Sequence, residues 1–235
     1  MERMYARNIL DGFGEVVDKT MQWLETTEAK EFFFEQRGSL SRFMKTSGIQ
    51  SEWQNIIEER ATHGVDITTQ IYEYARQLNT TGTLPRYTEQ ERNIFNKVCD
   101  NTYELIRNVS DDQVRGIRQR LLRDYAEGTN PRQTSLREVQ LEPINGWTPE
   151  QRAVVIARTE SARAINSGAL GQYLSDGIEY VTLLVSSDCD ECLAYAQDPN
   201  TGEEIRTPIT DVLDEPVIHP NCRCAWVPAT DTRVQ

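Results

Sequence analysis

Four of the five cysteines in this 235-residue chain lie near its end, together with one of its two histidines. The group consists of Cys189, Cys192, His219, Cys222 and Cys224, so a Cys-x2-Cys pair precedes a His-x2-Cys-x-Cys cluster. Thiolates and an imidazole at such spacings are the usual ligands of a tetrahedral zinc ion, which a Cys-x2-Cys pair shares with a distant cluster. The pattern therefore predicts a metal site with five candidate ligands for four positions.

The choice between Cys222 and Cys224 for the fourth position stays open in the sequence. The two residues are two apart on a predicted strand, so their side chains point the same way. Cys222 has the common three-residue offset from His219, whereas Cys224 suits a ligand reached from an extended strand, and we favour Cys224. A site closed by four protein ligands has no position for water, so we expect a structural role for the zinc.

Two other states of the cluster cysteines need to be weighed, namely a disulfide framework and unrelated buried thiols. A disulfide framework is typical of cysteine-rich secreted proteins. Against it, residues 1–5 open a charged segment without the apolar core of a secretion signal, and five cysteines leave one thiol unpaired.

The remaining cysteine, Cys99, lies between apolar residues such as Ile94 and Ile106. We expect it to be a small buried hydrophobic residue rather than a ligand.

No catalytic motif accompanies the cluster. Zinc deaminases carry a His-x-Glu motif ahead of Pro-Cys-x2-Cys, and metalloproteases carry His-Glu-x2-His. In this chain the Cys-x2-Cys pair comes first and the other histidine, His63, lies far upstream. A phosphate-binding glycine loop and a nucleophile elbow are also missing from the sequence. We therefore expect a protein that is not an enzyme.

The charge distribution limits the classes of partner. The net charge is −12, and the residues from Thr148 onward contribute −8 of it, with six arginines, no lysine and 14 acidic residues. Nonspecific binding of nucleic acid depends on Lys and Arg that neutralise phosphates, so this tail disfavours it. No segment approaches the roughly 20 apolar residues that a membrane helix needs. We expect neither membrane insertion nor direct DNA binding.

Helices dominate the first part of the predicted fold. Capping boxes at 51–54, 88–91 and 110–113 each predict the start of a helix. The strongest start is Thr148-Pro149-Glu150-Gln151, from which a helix is predicted to run to about Asp176 and to end at Gly177. This helix is rich in Ala, Ser and Gly, so we expect it to be central, with another backbone packed closely against it.

Short strands are predicted around the metal ligands. Residues 180–185 read as a buried strand that leads directly to Cys189, and residues 222–227 alternate as a closing strand. The predicted fold class is therefore α+β and mainly helical. A helical N-terminal region at residues 1–109, which would dock a partner, precedes a small α+β domain at residues 110–235. That domain holds a zinc knuckle and a short β-sheet.

The tail resembles a known family. Residues 156–168 read Ile-Ala-Arg-Thr-Glu-Ser-Ala-Arg-Ala-Ile-Asn-Ser-Gly, and a strand, Cys-x2-Cys and His-Pro-Asn-Cys-Arg-Cys follow in that order. This combination is similar to the phage Mu protein F-like minor head proteins, also called phage head morphogenesis proteins. The resemblance covers roughly residues 110–228, and the helical first hundred residues match no family that we can name.

The resemblance implies a minor capsid protein of a tailed phage. Such a protein is present in few copies and associates with the portal protein, the major capsid protein or the inner shell during head assembly. Some members leave the head with the DNA. The implied location is the virion, in the capsid interior or near the portal, and the host cytoplasm during assembly. Packaged DNA would lie nearby without specific binding.

The resemblance also implies roles for particular residues. Arg158, Thr159 and Glu160 correspond to a structural motif, and Cys189, Cys192, His219, Cys222 and Cys224 to the zinc cluster. Charged hydrogen bonds from Arg158 and Glu160 can hold the knuckle, although an ordinary salt-bridged helix surface is an equal alternative. Two other functions stay open: a phage-encoded enzyme or ejected effector, and a zinc-ribbon nucleic-acid binder.

Overall fold

The computed structural model of the protein describes residues 2–35, 38–80, 84, 86–127, 148–186 and 189–229. Its elements, in chain order, are α1 (Glu2–Leu24), α2 (Thr27–Glu35), α3 (Leu40–Thr46), α4 (Ile49–Leu78), α5 (Glu89–Ala126), α6 (Pro149–Ser175), β1 (Tyr180–Leu184), α7 (Asp190–Ala196), β2 (Thr207–Pro208), α8 (Ile209–Val212) and β3 (Ala225–Pro228). In these described ranges the fold is mainly helical with one small antiparallel sheet, which confirms the predicted class. Within the described ranges, none of the helices is both long and apolar enough to cross a bilayer.

Two helix starts were predicted correctly from their capping residues. At the start of α6, the Thr148 N–H donates to Gln151 Oε1 (3.0 Å) and the Gln151 N–H donates to Thr148 Oγ1 (3.2 Å). Thr88 and Glu91 form the same reciprocal pair at the start of α5. Each pair satisfies two backbone donors that the first turn of a helix leaves unpaired. The strand predicted at 180–185 is β1.

The helix start predicted at Ser110 is wrong, because α5 continues without a break from Glu89 to Ala126. Ser110 is buried, and its hydroxyl donates to the carbonyl of Ile106 (2.9 Å) one turn earlier. A serine can pair in this way inside a helix instead of capping a new one. The boundary predicted between residues 109 and 110 therefore falls within a continuous helix.

The chain forms two compact units that do not follow chain order. One unit contains Met1–Met4, Val65–Thr102 and Val154–Gln235, and the other contains Tyr5–Gly64 and Tyr103–Ala153. We refer to them as the cluster unit and the helical unit, because all five candidate ligands belong to the first. The division of function between residues 1–109 and 110–235 stays a prediction.

The helical unit has an aromatic and aliphatic core. Trp53 is almost completely buried, and its indole N–H donates to Thr20 Oγ1 (3.0 Å), whose own hydroxyl donates to the Val16 carbonyl. Phe32 stacks on Phe43 with ring centroids 4.2 Å apart. The buried tryptophan thus has its polar atom satisfied, as a buried indole usually requires.

In the cluster unit, α6 packs closely on α4. A Cβ atom placed on Gly168 would lie 2.6 Å from the carbonyl oxygen of Tyr72 and 2.9 Å from the Cβ of Ala75. One turn further, a Cβ on Gly171 would lie 2.8 Å from the Tyr72 hydroxyl. Only glycine fits at position 168 without a shift of the neighbouring backbone, whereas at position 171 the neighbour is the end of the Tyr72 side chain. The predicted close backbone approach is therefore found at Gly168.

A buried ion pair lies beside this contact. Arg76 and Glu91 are almost completely buried, and Arg76 Nη2 donates to Glu91 Oε1 (3.1 Å). The guanidinium also stacks over the ring of Tyr87, 4.1 Å from its centroid. A buried charge pair is retained only where further hydrogen bonds satisfy it, and here the Thr88 N–H donates to the second oxygen of Glu91. The pair links α4 to the start of α5.

The sheet has the strand order β2-β1-β3, and both pairings are antiparallel. β1 pairs with β3 over four residues, from Val181 opposite Pro228 to Leu184 opposite Ala225. The apolar core against it combines α6, β1, α7, α8, β3 and the connection before β3, and it consists of Ala169, Leu170, Tyr173, Val181, Leu183, Cys192, Ala196, Ile209, Val212, Cys222, Cys224 and Trp226. Three of the candidate ligands are therefore part of this core.

The contact at Gly168 can be tested with a matched pair of glycine-to-alanine substitutions. Gly168→Ala should lower the free energy of unfolding by at least about 1 kcal/mol, because overpacking against Tyr72 outweighs the gain in helix propensity. Gly14→Ala, at a glycine of α1 whose added Cβ would meet no atom within 4 Å, should raise it by up to about 1 kcal/mol. Urea denaturation measures both values. Equal stabilisation by the two substitutions would contradict the close packing.

Candidate metal centre

Two chain segments bring the five candidate ligands together. Cys189 lies between β1 and α7, and Cys192 belongs to the first turn of α7. His219, Cys222 and Cys224 lie in the segment that connects α8 to β3. Cys192, Cys222 and Cys224 are buried, whereas Cys189 and His219 are partly exposed. The predicted strand at 222–227 begins only at Ala225, so both late cysteines lie in the connection before it.

The distances between ligand atoms fit a tetrahedral metal ion. His219 Nε2 lies 3.3 Å from Cys189 Sγ and 3.1 Å from Cys192 Sγ, and Cys192 Sγ lies 3.6 Å from Cys222 Sγ. Zinc–sulfur and zinc–nitrogen bonds of about 2.3 and 2.0 Å place neighbouring ligand atoms of a tetrahedron roughly 3.5–3.8 Å apart. The arrangement can therefore hold a metal ion with little movement.

The ligand atoms form two groups of three that share one residue. Those of Cys189, Cys192 and His219 lie within 4.8 Å of one another, and so do those of Cys192, Cys222 and Cys224. Cys192 is completely buried and belongs to both groups. The structure thus brings together all five residues predicted from the sequence. Both Cys222 and Cys224 are within reach of a metal held by Cys192.

All five cysteines are free thiols. The distance of 3.6 Å between the sulfur atoms of Cys192 and Cys222 is far longer than the disulfide bond of about 2.05 Å. Cys99 lies apart from the cluster on α5, where it is buried, and burial raises the pKa of its thiol. It has the buried position expected from its apolar neighbours.

The imidazole of His219 is oriented for metal binding. Its Nδ1 lies 2.8 Å from the carbonyl oxygen of Pro220, which can only accept a hydrogen bond, so Nδ1 carries the proton. The same interaction raises the pKa of His219. Nε2 is then the ring atom that faces Cys189 and Cys192. A hydrogen bond from the distal nitrogen of a histidine to a carbonyl is the usual way to fix the ring of a metal ligand.

The thiols of the cluster differ in their ease of ionisation. The backbone N–H of Cys192 stabilises the thiolate of Cys189 and lowers its pKa, and the nearby imidazole of His219 adds to this effect. Burial instead raises the pKa of Cys192 well above its ordinary value. Burial also acts on Cys224, but the backbone N–H of Ser186 and neighbouring thiols outweigh it, so the pKa of Cys224 is lowered. A bound cation favours the thiolate form of every ligand.

Two of the three predicted motif residues hold the connection that carries His219 and Cys222. Arg158 donates from Nη1 to the side-chain oxygen of Asn221, and the backbone N–H of Asn221 donates to the hydroxyl oxygen of Thr159 (2.9 Å). Asn221 adopts a left-handed conformation (φ 67°), which asparagine tolerates better than most residues. The turn between His219 and Cys222 is therefore anchored directly on α6.

The third motif residue, Glu160, faces α5 instead. Its carboxylate accepts hydrogen bonds from the hydroxyl of Thr102 (3.5 Å) and from Arg163 Nε (3.3 Å). Burial raises the pKa of Glu160, and the positive charge of Arg163 only partly opposes this shift. Its contacts show how α6 is held against α5, and they do not extend to the metal ligands.

A further anchoring residue, Asn166, was missed in the sequence analysis. It is buried, and its side-chain amide donates to the carbonyls of Pro216 (3.0 Å) and Cys224 (3.1 Å). Its side-chain oxygen accepts from the N–H of Trp226 (3.2 Å). Asn166 thus ties both ends of the ligand-bearing connection to α6. The sequence feature that could have indicated this role is an asparagine in the middle of a helix otherwise rich in small side chains.

Comparisons with known proteins identify no relative. Protein-family models, curated proteins and solved structures were each compared with the chain, and none of the three comparisons found a match.

The anchoring role of Asn166 predicts a specific loss of stability. Asn166→Leu preserves side-chain size but leaves three buried backbone groups without partners, so it should lower the free energy of unfolding by at least about 2 kcal/mol. Ser167→Ala is the matched control. The Ser167 hydroxyl is buried and has no hydrogen-bond partner among the described residues, so its loss should change stability by less than about 0.5 kcal/mol. Urea denaturation, monitored by tryptophan fluorescence, measures the stability of both variants. Equal losses of stability in the two variants would contradict the anchoring role of Asn166.

Proposed function

We propose that the Cys/His cluster holds one structural zinc ion. Four ligands from Cys189, Cys192, His219 and one of Cys222 and Cys224 would close a tetrahedron and leave no position for substrate or water. The main support for this proposal is that sulfur and nitrogen ligand atoms converge around the buried Cys192, with distances of 3.1–3.6 Å between neighbouring ligand atoms. Soft thiolates combined with an imidazole favour zinc over the hard, oxygen-seeking cations.

The zinc would supply stability that the small sheet lacks. β1, β2 and β3 contain five, two and four residues, and strands this short give little independent stability. Metal binding contributes folding free energy, because the unfolded chain has no preformed site. Through Cys189 and Cys192 on one side and His219 and Cys222 or Cys224 on the other, the ion would join the start of α7 to the connection before β3.

We further propose that the protein is a minor capsid protein of a tailed phage, acting in head assembly next to the portal protein or the major capsid protein. The supporting observation is that the two sequence motifs behind the family resemblance contact each other. Arg158 and Thr159 of the helix motif bind Asn221 of the His-Pro-Asn-Cys-Arg-Cys motif. Motifs separated by about 60 residues that share hydrogen bonds form one structural unit, which a shared family would retain.

The charge of the chain suits this role better than the two alternatives. A protein with a net charge of −12 can be confined beside packaged DNA without binding it, because like charges repel. A zinc-ribbon nucleic-acid binder would need a basic face, and the residues from Thr148 onward carry −8. A closed four-ligand site has no open position for a reactant, which favours a structural protein over an enzyme.

The head-protein proposal predicts where the chain is found. Particles purified from the phage or prophage that encodes it should contain the protein in a few copies, and it should co-sediment with portal-containing precursor heads. Quantitative mass spectrometry of gradient-purified particles measures both. The major capsid protein of the same particles serves as the internal standard for copy number. Absence from mature particles and from precursor heads would contradict the proposal, as would recovery as a free protein alone.

A further inference from the structure

The central strand of the sheet, β1, pairs with β3 along one edge, but its other edge is paired over only part of its length. Within the described residues, β2 pairs with β1 at Tyr180 and Val181 alone. On the other edge, β3 pairs with β1 from Val181 to Leu184. The part of β1 beyond Val181 therefore has a strand neighbour on one side only. Backbone groups on the unpaired side of a strand are a template for another strand.

The direction of these backbone groups follows from the hydrogen bonds at the start of β1. The carbonyl of Glu179 accepts from the Ile209 N–H (2.9 Å) on the β2 side, and that of Tyr180 accepts from the Ala229 N–H (3.1 Å) on the β3 side. Successive residues of an extended strand direct their N–H and C=O groups to opposite sides. Leu183 therefore directs both groups, and Val185, the residue after β1, directs its N–H, towards the side that β2 leaves uncovered.

A groove of about 540 Å³ lies along this edge. Its lining comprises Thr182, Leu183, Leu184, Val185, Ser186, Leu193, Ala196, Gln197 and Glu204. Residues of β1 and the two residues after it contribute one part of the lining, and Leu193 and Ala196 on α7 contribute another. Five residues of strand span about 16 Å, which suits an extended segment of similar length.

We propose that this groove binds an extended segment of a partner chain, which adds to the sheet as a strand beside β1. Its backbone would pair with the N–H and C=O groups of Leu183 and with the N–H of Val185. Because side chains alternate along a strand, every second side chain of the segment would face Leu193 and Ala196, and these would be apolar. This is the recognition mode in which main-chain hydrogen bonds give affinity and pockets for alternate side chains give specificity.

The charge around the groove indicates that the segment is basic. Glu204 lines the groove, and Asp190 lies on α7 one turn before Leu193, on the same side of the helix. Arg206 lies at the opposite, β2-paired end of the strand, where its guanidinium stacks over Tyr180. A second copy of the chain would bring the same acidic side chains together, so a segment with Lys or Arg between its apolar residues fits better.

The test uses the full chain and a blocked peptide of sequence Lys-Val-Lys-Val-Lys-Val-Lys. Binding is followed by fluorescence anisotropy, and the site is located by NMR amide exchange. The peptide should bind and slow exchange at Leu183 and Val185, because both amides gain a hydrogen-bond partner. The same peptide N-methylated at alternate residues, so that it cannot form the ladder, should lose binding. Equal binding by the methylated peptide, or no binding by either, would overturn the proposal.

Two exposed neighbours supply a matched pair of charge reversals. Glu204→Lys, at the groove, should weaken binding of the peptide about tenfold at low salt, because an attraction becomes a repulsion. Glu203→Lys makes the same change at a residue that does not line the groove and should leave affinity within about twofold. Equal effects of the two substitutions would mean that binding depends on the overall charge of the chain and not on the groove. Concentration-dependent self-association that slows the same two amides without peptide would assign the edge to a second copy instead.

These outcomes can be distinguished from the failure of the head-protein proposal. The groove is built from β1, α7 and residue 204, and none of the candidate ligands lines it. A chain that binds the peptide but is absent from phage particles would keep this inference and remove the head-protein proposal. A chain that is found in particles and does not bind the peptide would keep the head-protein proposal and remove this inference.

Discussion

The structure of the cluster unit depends on the double role of α6, which must pack closely on one helix while it holds the ligand-bearing connection by hydrogen bonds. Gly168 provides the close approach to Tyr72, and Asn166 provides three hydrogen bonds to backbone around the connection. Residues two apart lie about 200° apart around a helix, so these two contacts are on opposite sides. A larger residue at 168 would displace α6 from α4. An apolar residue at 166 would displace α6 from the ligand-bearing connection.

The cluster itself joins two segments that have little regular structure between them. Cys189 and Cys192 lie around the start of the seven-residue α7, and the other three candidates lie in the connection before β3. Arg158, Thr159 and Asn166 hold that connection on α6 through hydrogen bonds, and a zinc ion would add bonds to α7. Helix anchoring and the proposed metal ligation therefore act on the same short connection, and both would hold the short strand β3 in the sheet.

Spacing and capping chemistry made part of this structure predictable. The ligand spacing predicted all five members of the cluster, and the reciprocal cap of Thr148 and Gln151 predicted the start of α6. The same local rule failed at Ser110, where the hydroxyl pairs inside a continuous helix. The helix motif did not reveal that Glu160 faces α5 while Arg158 faces the cluster, because the direction of a face depends on tertiary packing. Asn166 and the half-paired edge of β1 were missed because both depend on contacts between segments distant in the chain.

The most direct test of the account is the zinc content of the purified chain and of two cysteine variants. Elemental mass spectrometry should find one zinc per chain in the wild type and in Cys99→Ser, which alters a cysteine outside the cluster. It should find essentially none in Cys192→Ser, which removes the residue common to both groups of ligands. A folded, metal-free wild-type chain with its late cysteines in disulfides would contradict the account, and so would a Cys192→Ser variant that retains a full equivalent of zinc.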